Sequence, residues 1–163
     1  MFTLVVSDDQ LNSLAPNKLA DLAFNVVHDY MNAHTRFEED VMLSLPQPWR
    51  AVWLTRQCKA DVDNGGFHQF FWNSEGHMND AFLEDLRFLG AMAYAQVVSK
   101  AVATFSEYDY VEEKRRAGFS WHKFTAAYRQ KRLERFDDEF YELEPDLRSI
   151  IGVYVKAHIE KFR

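Results

Sequence analysis

Asp61-Val62-Asp63-Asn64-Gly65-Gly66-Phe67-His68-Gln69-Phe70-Phe71-Trp72-Asn73-Ser74-Glu75-Gly76 decides the reading of this chain. Two adjacent glycines follow an apolar-periodic run and precede four aromatic residues in six positions. A polar turn, Asn73-Ser74-Glu75-Gly76, closes the segment. The pattern predicts a helix stop, a short aromatic helix and a second stop. One glycine takes the left-handed conformation that ends a helix, and the other lets the next helix pack closely. Phe67, Phe70 and Phe71 fall at i, i+3 and i+4 and bury one face. Gln69 and Asn73 share another face and can hydrogen-bond to neighbouring backbone.

Helical periodicity extends outward in both directions. Upstream, Trp49 to Val62 forms a helix ending at Asn64-Gly65. Arg36 to Leu45 forms a shorter one, stopped by Pro46 and Pro48. From Asn17 to His34 an apolar stripe (Leu19, Leu22, Ala23, Val26, Val27, Tyr30) opposes Asp21, Asn25, Asp29 and Asn32, and Pro16 suits its start. Ser7 can cap a short helix through Leu14. Downstream, Asn79 can cap a helix bearing Phe82, Leu86 and Leu89. Ala91 to Phe105 keeps only a narrow polar stripe and is the candidate central buried helix. Glu107 to Gly118 is charged, a loop with some helix. Ser120 can cap a helix carrying Trp121, Phe124 and Tyr128, and Phe136, Phe140 and Leu143 continue an apolar face to Pro145. Pro145 opens the last helix. The fold class is all-α: a single compact multi-helix domain over residues 1–163, with a short extended piece at Phe2–Val6.

Apolar residues make up 47% of the 163 and aromatics 15%, a load of rings that argues against disorder. The opening residues lack the basic region of a secretory signal, and one cysteine, Cys58, fits a reducing compartment. The expected location is the cytoplasm. Net charge is −6, unevenly spread. Residues 1–113 hold 17 acids against 7 Lys+Arg, whereas residues 114–163 hold 8 against 12. The acidic majority disfavours nucleic acid as a direct partner. In the C-terminal part, basic and acidic residues alternate over Lys131–Glu139, which predicts pairing within a helix.

No motif for chemistry survives inspection. Asp61-x-Asp63-x-x-Gly66 starts like a calcium loop, but its fifth and twelfth positions are Gly65 and Trp72, which supply no ligand. The six histidines contain no i, i+4 pair. Cys58 beside Lys59 reads as packing, although the lysine would favour a thiolate slightly. There is neither a nucleophile elbow nor a phosphate-binding loop. The expectation is a protein that is not an enzyme and takes no cofactor or metal.

The run Asn64-Gly65-Gly66-Phe67-His68-Gln69-Phe70-Phe71-Trp72-Asn73-Ser74-Glu75-Gly76, followed by Leu89-Gly90-Ala91, resembles the hallmark of a bacterial family of DNA-mimic proteins of the DMP type. The resemblance is strong over about residues 49–105. It implies an acidic all-α protein that binds the DNA-binding surface of a helix-turn-helix transcriptional repressor and keeps it off DNA. The physics is compatible: ten excess negative charges correspond to roughly 17 Å of duplex at one charge per ~1.7 Å. Two copies reach about 34 Å, the half-site spacing of a helix-turn-helix dimer, which favours a homodimer. The mimic surface is then expected among acids on polar faces and turns: Asp29, Glu38, Glu39, Asp40, Asp61, Asp63, Glu75, Asp80, Glu84 and Asp85. Glu84 can instead pair with Arg87 at i, i+3, and Asp80 can simply favour its helix N-terminus. The alternative is an interaction or immunity-type protein of the same fold that binds another basic partner without mimicking DNA.

Overall fold

The computed structural model describes residues 2–33, 38–107, 110–116, 118, 120, 122 and 132–163. Among them the regular structure is helical: α1 (Asp8–Ser13), α2 (Pro16–Asn32), α3 (Glu38–Ser44), α4 (Gln47–Ser74), α5 (Asn79–Phe88), α6 (Met92–Ser106), α7 (Tyr110–Arg116), α8 (Glu134–Tyr141) and α9 (Leu147–Ala157), followed by a 3-10 turn at Ile159–Lys161. The all-α expectation holds. Ser7 caps α1 in a capping box with Gln10, and Pro16 stands at the first turn of α2. The α5 cap is Met78 rather than Asn79, which is the first helical residue and is buried. The last helix begins at Leu147 with Asp146 as its cap, two residues beyond the expected Pro145. The helix expected after Ser120, with Trp121, Phe124 and Tyr128, lies outside the described residues. Phe2–Val6 forms no strand; the Leu4 amide donates to the Phe162 carbonyl at 2.7 Å.

The hub is α4, not Ala91–Phe105. That run becomes α6, which buries Tyr94, Ala95, Val97, Val98 and Ala101 but leaves Met92, Ala93 and Ala103 exposed. Ala93 and Ala103 widen the stripe on the helical wheel yet stay exposed. By contrast, α4 touches α2, α3, α5, α7 and α8. It breaks where the double glycine stands: Gly65 has φ −156°, ψ 25° and Gly66 has φ 70°, ψ −173°. Gly66 therefore has positive φ, in the extended glycine-only region rather than the left-handed helical well expected for the stop. The second arm closes at Glu75 in a left-handed conformation, φ 49°.

Past the break, Phe67, Phe70 and Phe71 are almost wholly buried. Phe67 meets Phe140 edge-on at 5.5 Å, Phe70 meets Phe82 at 5.5 Å, and Phe71 stacks on Phe105 at 4.2 Å. One short arm thus pins α8, α5 and α6, with each ring contributing roughly 1.5–3 kcal/mol of burial. On the opposite side α2 and α9 form the most intimate helix pair, drawn together at Gly152, where an added Cβ would collide with the Pro16 carbonyl.

Gly66→Ala and Gly152→Ala test these two approaches. The first forces positive φ and a collision with the Asp137 carboxylate. The second wedges apart a backbone contact. Each should lower stability by about 2 kcal/mol or more, read as a shifted urea midpoint. Gly90→Ala meets positive φ but has nothing near its Cβ, and should cost only about 1 kcal/mol.

Candidate functional site

The break in α4 is finished from a distant part of the chain. Asp137 on α8 accepts the Phe67 backbone N–H at 2.7 Å, supplying the acceptor that a helix start needs. The Tyr141 hydroxyl donates to the Val62 carbonyl at the end of the first arm. Burial, the largest influence, raises the Asp137 carboxyl from the usual 3.8 to about 6; the Phe67 bond opposes this, and Asp138 and Glu134 add to it.

Helix α8 thereby brings acids to this end of α4. Lys59 binds Asp63 at 2.6 Å and lies 3.8 Å from Asp146. The Tyr141 hydroxyl is raised by burial and then by the charges of Asp137, Asp63 and Asp138. Tyr94 is pushed up to about 12 by burial, with Asp146, Glu144 and Asp63 contributing. An acidic group of Asp63, Asp137, Asp138, Glu144 and Asp146 results, of which only Asp63 was among the expected site residues. The pairing expected within 131–139 hid it. Glu139 in fact binds Lys100 of α6 at 2.7 Å, and Arg135 lies over the Phe136 ring. The usable signal was the Phe136–Phe140 stripe, which turns Asp138 and Glu142 outward.

The other expected acids sort by what holds them. Asp85 is completely buried and cannot belong to a surface: Arg50 grips both its oxygens, at 2.8 to 3.2 Å. Burial raises its carboxyl despite that partner. Glu84 accepts at 2.8 Å from the same Arg50 nitrogen that donates to Asp85, and is not held by Arg87. Glu75 binds Lys114 at 2.6 Å, and this bond holds its carboxyl below the ordinary range. The same ammonium donates to the Trp72 carbonyl and lies 4.8 Å from the Trp72 ring centre. Asp29, Asp40 and Asp80 are exposed and, among the described residues, enter no ion pair. The Glu38 side chain lies outside the described residues.

Glu39 and Asp61 face a cleft of about 410 Å³ between the two arms of α4, lined also by Trp53, Leu54, Phe70 and Met78. Glu39 is 3.6 Å from His77, tying α3 to the turn after α4. Asp61 is half-buried and accepts from the side chains of Asn73, at 2.8 Å, and Gln69, at 3.4 Å. The two amides thus serve a side chain, not the neighbouring backbone. Burial raises the Asp61 carboxyl, the amides only partly countering it. Cys58 also lines the cleft; burial lifts its thiol well above the usual range, so it is packing and not a thiolate. Lys59, the neighbour expected to help ionise it, is committed to Asp63.

A model of the DMP19-like protein family matches residues 43–158. The match spans well over half of the chain and includes the broken helix, α8 and all of the named cleft residues except Glu39; the chain belongs to this family. No curated protein and no solved structure matches it. No helix of the described residues is long and apolar enough to cross a membrane.

The raised Asp137 carboxyl sets a pH dependence of stability. Its folded value of about 6 exceeds the ordinary 3.8, so the fold favours the protonated acid. The stability it contributes is fully present below about pH 4 and is lost as pH rises through 6. Asp137→Asn keeps an acceptor and should flatten this fall, matching or exceeding the parent at pH 7.5. Asp137→Ala leaves the Phe67 N–H unpaired and should cost about 1–3 kcal/mol. Urea midpoints between pH 4 and 8 measure both.

Proposed function

We propose that this protein is an acidic DNA mimic that occupies the DNA-binding surface of a helix-turn-helix transcriptional repressor and prevents it from binding DNA. Membership of the DMP19-like family carries the reading, since the match includes the very segment whose resemblance implied mimicry. The disposition of charge supports it. A mimic needs carboxylates on a rigid frame that remain available to a partner's Lys and Arg. Asp29, Asp40 and Asp80 meet that requirement, whereas Glu75 is taken by Lys114 and Glu39 faces His77. Asp85 drops out, and Glu84 is half committed to Arg50. The acids brought by α8 extend the surface beyond the N-terminal part of the chain.

The working unit in this reading is a cytoplasmic homodimer, because one copy offers roughly half the charge spacing of a two-half-site operator. Light scattering on the purified chain checks that part: a mass of one chain at micromolar concentration contradicts it.

Affinity capture from the native cytoplasm, followed by gel-shift competition, tests the mimicry. The captured repressor should lose its operator as this protein is added, and the protein–protein complex should weaken steeply between 50 and 200 mM salt. The combined change Glu39→Lys, Asp40→Lys, Asp80→Lys should weaken competition at least tenfold with an unchanged urea midpoint. A ternary complex in which the partner still holds DNA refutes mimicry and favours a basic partner bound elsewhere on its surface.

A further inference from the structure

The basic residues of α4 are all engaged. Arg50 serves Glu84 and Asp85, Arg56 serves Asp21 at 2.6 Å, and Lys59 serves Asp63. Asp61, on the same helix, has only amide partners, and no cation among the described residues reaches it. Its carboxylate is nevertheless half-buried, held by Asn73 and Gln69 beside a cleft whose walls include Trp53, Leu54, Phe70 and Met78 together with the polar Gln57 and Ser74. Trp53 is 4% exposed and forms one wall of the cleft. An occupant that brings a cation would complete Asp61. At about 410 Å³ the space lies near the lower end of small-ligand sites and suits one long side chain rather than a helix.

We propose that this cleft is a receptor for a single arginine residue of the protein partner. The guanidinium is taken by Asp61, with Glu39 also lining the cleft and the Trp53 ring forming part of its apolar wall. The chain builds a similar nest for itself next door, where Lys114 sits between the Glu75 carboxylate and the Trp72 ring. Arginine is favoured over lysine because its planar fork can engage a carboxylate with two parallel bonds while its flat face rests on apolar walls. The inference rests on the proposed protein-binding role and assigns one contact within it.

N-acetyl-arginine-N-methylamide is the probe, titrated into the full-length chain while the indole N–H signals are followed by NMR. The Trp53 signal, identified by its loss in Trp53→Phe, should move and saturate. The citrulline analogue, equal in shape but uncharged, should bind at least tenfold more weakly. Asp61→Asn, which keeps the oxygen that Asn73 and Gln69 bind, should cause a loss of the same size with an unchanged melting temperature. If that variant fails to fold, the citrulline comparison on the natural chain still decides. A stationary Trp53 signal, or equal binding of the two probes, overturns the proposal. This outcome is distinct from failure of mimicry: a partner that competes with DNA but ignores Asp61→Asn sinks the arginine site alone. Arginine binding without DNA competition sinks mimicry alone.

Discussion

One hydrogen bond organises this molecule: the Asp137 carboxylate accepting the Phe67 amide across 70 positions of sequence. A helix interrupted by two glycines has free N–H groups at its restart, and burying them unpaired would be costly. Helix α8 supplies the acceptor, and the glycine gives it room, because a side chain at Gly66 would stand where the carboxylate stands. The angle between the two arms of α4 follows from this. So do the placement of three buried phenylalanines against three neighbouring helices and the cleft left between the arms. The acid that fixes the geometry carries its own penalty, a carboxyl pushed towards neutrality by burial.

The charges divide into those that build the fold and those left for others. Arg50 with Asp85, and Arg56 and Arg148 with Asp21, join helices far apart in sequence. Burial tends to raise the Asp21 carboxyl, but the two arginines outweigh it and hold it below its usual range. A count of acids along the chain therefore overstates the outward field. The surface available to a partner is set by which acids have no internal cation. That subset is drawn from α2, α3, α5 and α8, as Asp29, Asp40, Asp80 and Asp138.

Much of this was legible beforehand, for reasons that can be named. Capping residues, prolines and apolar spacing are local signals, so α1, α2 and the broken α4 could be read from adjacent residues. The motif gave away the break because a positive φ demands glycine. What stayed hidden depends on partners remote in sequence. Nothing near Asp85 announces Arg50, 35 residues earlier, so a charged residue at a helix position was placed on the surface. Nothing near Gly152 announces that Pro16 will touch it. The mixed charges of 131–139 suggested local pairing, whereas the folded chain sends Asp137 to α4 and Glu139 to α6. The cleft needed the bend at Gly65–Gly66, which sequence could predict in kind but not in direction.

The contact of Gly152 with Pro16 has a consequence for the order of assembly. The closest helix pair in the domain joins residues 16–32 to residues 147–157, and the Leu4–Phe162 and Arg163–Val6 bonds lie at the same end. During synthesis the part of α2 that packs on α9 therefore waits for residues 147–157, whereas the part that packs on α4 finds its cover earlier. Helical proteins usually gain speed from contacts between sequence neighbours. Here the tightest seam closes a loop of more than a hundred residues, and the entropy of that closure is met only when α9 docks.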